Sequence, residues 1–111
     1  MSLEGPRIPV TWSPENALVS MTASAKVKIT NKLGLHARPA MMFVETASQF
    51  ESKISARRTD QDETVDGKSI MQLMMLAATK GTELEISAQG PDAQDAVTKL
   101  IFLIKSNFSE D

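Results

Sequence analysis

Between Thr82 and Ala88 the chain alternates without a break. Leu84, Ile86 and Ala88 fall on one side, Glu83, Glu85 and Ser87 on the other. Successive side chains of a strand point to opposite faces, so this stretch predicts a strand with one dry face and one wet face. The same period recurs upstream, where Ala25, Val27 and Ile29 alternate with Lys26, Lys28 and Thr30. Lys53 to Arg57 repeats it with Ile54 and Ala56 inward, and Glu63 to Asp66 with Val65 inward. A sheet that is wet on one face needs cover on the other.

Three further stretches supply that cover, because their apolar residues follow helical spacing. From Ala37 to about Phe50, the residues Ala40, Phe43, Val44, Ala47 and Phe50 share a face. Ser69 opens a shorter helix whose buried face is predicted as Ile70, Leu73, Met74 and Ala77, with Lys80-Gly81 as its end. Gly90-Pro91-Asp92 starts the last helix, with Pro91 where a missing N–H costs nothing and Asp92 and Asp95 near the positive end of the dipole. Ala93, Ala96, Val97, Leu100, Ile101, Leu103 and Ile104 give it a wide apolar face. The order is β-α-β-β-α-β-α. It predicts an α+β, two-layer sandwich: a four-stranded antiparallel sheet with three helices on one face.

Residues 1–22 differ in kind. Pro6, Pro9 and Pro14 break regular structure, and this stretch reads as an irregular N-terminal extension to a domain over 23–111. Ser13-Pro14-Glu15 could cap a short helical turn there. No basic region precedes an apolar one, so no secretory signal is expected. Asn107-Phe108-Ser109 matches a glycosylation sequon, read as chance without an export signal.

Composition narrows the chemistry. The 111 residues carry a net charge of −2 and no long basic run, which argues against nucleic acid as the main partner. There is no cysteine, so disulfides, thiolate catalysis and thiolate-bound zinc are excluded, and a single histidine rules out a His-rich metal site within one chain. No apolar run approaches the roughly 20 residues of a membrane span. The expected protein is cytoplasmic, with no metal, no cofactor and no membrane insertion.

The one histidine is His36, in "NKLGLHARPAMMF" over 31–43. It stands at the predicted junction of strand and helix, with Ala37, Arg38 and Pro39 filling the first helical turn. The open N–H groups there favour negative charge, and Arg38 can grip an anion through two hydrogen bonds. A neutral imidazole is a nucleophile near pH 7. Together they could receive a phosphoryl group. On spacing alone the simpler reading carries more weight: His36 caps the helix and Arg38 is solvated.

"GLHARPA" over 34–40 resembles the active-site signature of the HPr phosphocarrier family of the bacterial phosphotransferase system. "GKSIMQLMMLAATKGTELEISAQGPDAQDAV" over 67–97 resembles the family's second block, and the likeness runs in order from about 25 to 108. "ITNKLGLHARPAM" and the C-terminal "FSED" resemble the nitrogen-related branch, NPr, more than the sugar branch. The resemblance implies that His36 is phosphorylated on its δ nitrogen by phospho-enzyme I, charged from phosphoenolpyruvate, and that the group passes to an enzyme IIA-type protein. Arg38 would steady the group, Pro39 would fix the helix start, and Gly34 would be a structural residue of the site. It puts Ser69 at a regulatory serine, the target of HPr kinase/phosphorylase in some bacteria; its plain role is an N-cap worth about 1 kcal/mol.

Met41, Met71 and Met75 lie off the predicted core stripes of the two helices that flank His36. They are expected to form an exposed apolar patch, with Ala37 and Ile70, where partners dock. The protein itself is expected to be a monomer. Leu33 departs from the family, where Ser or Asn often stands, so a polar partner for the imidazole is lost or replaced. The turn at "RRTDQDE" is longer than usual. "DGKS" over 66–69 mimics the end of a P-loop but lacks its first glycine, since Asp62 stands there. Two rivals remain: a regulatory binding module of the same fold, and a small phosphatase- or acyl-transfer-like enzyme using His36 and Arg38. The lack of a second acid–base group beside the motif counts against the enzyme.

Overall fold

The computed structural model describes residues 21–109. The reading of Ser13-Pro14-Glu15, and all of the predicted extension but its last two residues, lie outside the described residues. Four strands, β1 (Thr22–Lys28), β2 (Lys53–Arg58), β3 (Thr64–Asp66) and β4 (Glu83–Gln89), form one sheet in the order β1-β4-β2-β3. Every pairing is antiparallel. Three helices, α1 (Ala37–Ala47), α2 (Ile70–Met75) and α3 (Ala93–Lys105), cover one face, and a 3-10 turn follows at Asn107–Ser109. The order and class predicted from periodicity are those observed.

The register explains how the alternation is used. Leu84, Ile86 and Ala88 of β4 are buried, and so are Ile54 and Ala56 of β2 and Val65 of β3. Their layer meets Phe43 and Ala47 of α1 and Ala96, Val97, Leu100 and Ile104 of α3. On the wet face Lys26 lies opposite Glu85 and Lys28 opposite Glu83. Glu85 pairs with Arg57 at 2.8 Å, and the Glu83 carboxylate accepts from the Thr59 hydroxyl at 3.0 Å. These two glutamates are surface charges matched across strands, not a catalytic pair.

Asp92 is the N-cap residue of α3, but its side chain makes no capping bond. Its carboxylate instead accepts from the Glu51 and Ser52 N–H groups and the Ser52 hydroxyl. The Ser52 hydroxyl, and then the two N–H groups, hold its pKa below the usual carboxylate range, because they favour the charged form. The contact ties the turn after α1 to the start of α3.

The second helix departs from expectation. It ends at Met75, with Leu76 as its C-cap, well before Lys80-Gly81. The buried residues are Leu73 and Leu76, while Ile70, Met74 and Ala77, predicted to face the core, are exposed. The physical reason lies in the backbone. Leu76 and Ala77 N–H groups bond three residues back, to Leu73 and Met74, which tightens the last turn. Ala77 then enters the left-handed region at φ 52°. The carbonyls of Leu76 and Ala77, which a longer helix would use, accept from the Arg58 guanidinium at 3.1 and 3.2 Å.

Candidate functional site

The site is built on the loop between β1 and α1. Buried Asn31 braces it from inside, donating from Nδ2 to the Gly34 carbonyl at 2.8 Å. The Leu35 N–H donates to the Ala78 carbonyl at 2.8 Å, which joins the loop to the irregular segment leaving α2. Gly34 is required at this crossing. Its φ is +70°, and a Cβ there would sit 2.5 Å from the Ala78 oxygen and 2.8 Å from the Thr79 Cα. The early end of α2 therefore has a use: it delivers Ala78 and Thr79 to the loop that carries His36.

His36 follows in extended geometry, φ −86° and ψ −169°, and is the N-cap residue of α1. Its carbonyl accepts the first helical bond, from the Ala40 N–H at 3.0 Å. Its side chain makes no capping bond. The simpler reading of His36 as a side-chain cap is thereby corrected: the imidazole is placed by the cap geometry but is not the cap. The ring nitrogen Nε2 is buried, while the residue as a whole keeps part of its surface.

Ala37 and Arg38 form the first turn and are exposed, with their N–H groups ahead of the helical ladder. Pro39, buried, occupies the turn where its missing N–H breaks no bond and its fixed φ suits the helix. No acidic side chain lies in this first turn, so the positive helix end and the Arg38 guanidinium stay uncompensated from within α1. The arrangement can bind a dianionic group presented at the ring. Among the described residues, no group of three His, Asp or Glu side chains is placed to hold a metal ion.

Ser69 is the N-cap of α2, extended at φ −122° and ψ 115°, and its hydroxyl accepts from the Gln72 N–H at 3.2 Å. Lys68, the lysine of the P-loop mimic, donates to the Phe50 carbonyl at 2.8 Å and so serves the fold.

α1 and α2 pack against each other, and both carry exposed apolar residues. Met71 is 77% exposed, Met75 69%, Met41 45%, Met74 43% and Ile70 37%. The three methionines picked out by spacing are open. Met74, assigned to the core from the sequence, joins them. Leu33, in the turn before Gly34, is 73% exposed and was missed as a surface residue. An apolar side chain inside an otherwise polar turn was the available signal.

With this geometry in view, comparison with known proteins is specific. Residues 23–106 match the model described as the PTS HPr component phosphorylation site. The phosphocarrier protein HPr of Neisseria meningitidis serogroup A is 50% identical over 84 residues, 76% of this chain and 92% of that protein. The phosphocarrier protein NPr of Escherichia coli K12 is 40% identical over 91 residues, 82% of this chain and its own full length. The crystal structure of HPr-C-His from Thermoanaerobacter tengcongensis superposes with a TM-score of 0.75 at 42% identity, covering 80% of this chain and 98% of that one.

Fold and loop thus define a small protein of the phosphotransferase system that carries a phosphoryl group. The chain belongs to the HPr family of phosphocarrier proteins, whose HPr and NPr members both stand among its relatives.

Proposed function

We propose that His36 takes a phosphoryl group on Nδ1 from phospho-enzyme I, itself charged from phosphoenolpyruvate. The group then passes to a histidine or cysteine of an enzyme IIA-type acceptor. The observation that carries this reading is the N-cap placement of His36 with its ring unused for capping. A neutral imidazole with its proton on Nε2 presents the Nδ1 lone pair for attack. As the Nδ1–phosphorus bond forms, the bond from phosphorus to the donor breaks. The transferred oxygens meet the Ala37 and Arg38 N–H groups and the Arg38 guanidinium. Gly34 and Pro39 hold the ring and the helix start in place.

Ala37, Met41, Ile70, Met71 and Met75 supply the docking surface, now extended to Met74 and Leu33. An apolar rim of mobile thioethers can repack against more than one partner. The protein acts as a cytoplasmic monomer. No helix among the described residues is long and apolar enough to cross a membrane. Ser69 is the site at which an HPr kinase/phosphorylase would act. A phosphate there gains the N–H groups of α2 but repels acidic groups on a partner.

A second reading rests on the same exposed methionines: a regulatory module whose docking is switched by the phosphate on His36. One experiment separates the two. With enzyme I and labelled phosphoenolpyruvate, the wild type gains one acid-labile phosphoryl group and His36→Ala gains none. Onward passage of label to an enzyme IIA-type protein supports the carrier. Label that no such protein accepts supports the module, and absence of label from the wild type contradicts both.

A further inference from the structure

The docking surface is unusual in its sulfur. Of the seven methionines in the chain, five lie in α1 and α2, and four of those five are exposed. Met71 and Met75 are one helical turn apart, with Met74 between them, and Met41 lies on the helix packed alongside. The chain has no cysteine, so the thioethers are its only sulfur. Leucine would offer similar apolar surface without a reactive atom.

Exposure and chemistry combine here. Peroxide reaches an exposed thioether sulfur directly. The O–O bond breaks, an S–O bond forms, the sulfur loses two electrons, and the second peroxide oxygen leaves as water. The product is a polar, chiral sulfoxide. A thiol-dependent sulfoxide reductase reverses the step: the sulfoxide oxygen leaves as water while two thiols become a disulfide. The modified side chains point to solvent, so the core that holds the fold is not disturbed. A partner that buries them must instead desolvate four strong acceptors that an apolar surface cannot satisfy.

From this we infer that Met41, Met71, Met74 and Met75 form a reversible oxidation site that uncouples the carrier from its protein partners under peroxide stress. The inference rests on the docking role assigned above to this surface, and it adds a control that leaves His36 and Arg38 chemically intact.

The test starts with untreated protein, for which both the KM of enzyme I-driven phosphorylation and the Kd for enzyme I are measured. Dilute hydrogen peroxide is then applied, and peptide mass mapping locates the sulfoxides. Met71 and Met75 are expected to oxidise first, Met41 and Met74 next, and half-buried Met42 last. The thermal midpoint should not move. KM and Kd should both rise at least about tenfold, since uncompensated burial of even one polar group has that scale. Treatment with both stereospecific methionine sulfoxide reductases should restore them.

A variant with Met→Leu at all four positions should keep a treated-to-untreated ratio near one in both quantities. Four sulfoxides with KM and Kd unchanged would overturn the inference. So would an equal rise in the leucine variant, or a fall in thermal midpoint that accounts for the loss. The Kd needs no phosphoryl transfer, so the docking result stands apart from the carrier reading. Untreated protein that binds enzyme I but accepts no phosphoryl group would contradict only the latter.

Discussion

The second and third helices teach different lessons from the same apolar periodicity. α3 buries Ala93, Ala96, Val97, Leu100 and Ile104 against the sheet. α2 buries only Leu73 within its six residues and turns Ile70, Met71, Met74 and Met75 outward. Both are apolar at helical intervals, yet one stripe is a core and the other a surface. Length and residue type separate them. A six-residue helix has too few turns to anchor itself through one stripe, so caps and neighbours hold it. Here the Ser69 hydroxyl holds its start and the Arg58 guanidinium receives the chain at its end.

That contrast can be broken at either end. The largest effect should come from the core stripe of α3. Leu100→Ala removes a fully buried side chain and should cost about 2–5 kcal/mol, measured by urea unfolding. A cost below about 1 kcal/mol would mean that α3 is less essential than its burial implies.

Gly34→Ala comes next, because it forces a Cβ against the Ala78–Thr79 backbone where the His36 loop meets the exit of α2. The left-handed backbone and the clash together should cost about 2–4 kcal/mol. Phosphorylation of the surviving folded fraction should slow as well. Loss of stability with full phosphorylation speed would separate the crossing from the placement of His36.

Asp92 tests the start of α3. Its pKa is lowered in the fold, so it contributes stability above the ordinary carboxylate range and loses that contribution as pH falls through the depressed folded value. Asp92→Asn should lower the thermal midpoint by several degrees at neutral pH. The gap from wild type should close on acidification below the ordinary aspartate range. A gap independent of pH would contradict the charged-acceptor account.

The smallest stability effect belongs to the exposed stripe of α2. Met75→Gln should change stability by no more than about 0.5 kcal/mol while raising KM for enzyme I severalfold. A large loss of stability instead would show that Met75 supports the fold.

Much of this was legible in the chain. Unbroken alternation at Leu84, Ile86 and Ala88 set the sheet with one wet face, and Gly90-Pro91-Asp92 marked the approach to α3, although the helix opens at Ala93 with Asp92 as N-cap and Pro91 ahead of it. Ser69 was legible as a cap because a hydroxyl before a helical run has few other local uses. What could not be read depends on distant contacts. Arg58 ends α2 from a strand 18 residues upstream. Asp92 serves a turn 40 residues before it, although its position suggested only a dipole role. Phe108 is buried beyond α3 in a left-handed turn, φ 56°, that no local signal announced.

The site itself was legible as a motif but not as geometry. Spacing around His36 favoured a cap, and only the folded loop shows that the ring does not make one. Met74 was misplaced because methionine serves core and surface equally well.

The central claim is that Nδ1 of His36 carries the phosphoryl group, and the single histidine makes it directly observable. Protein labelled with nitrogen-15 at histidine, phosphorylated by enzyme I and phosphoenolpyruvate, can be followed by combined nitrogen and phosphorus NMR. The account predicts one phosphorus–nitrogen coupling, at Nδ1, that disappears when an enzyme IIA-type acceptor is added. Coupling at Nε2, or phosphorus found on any other residue, would contradict it.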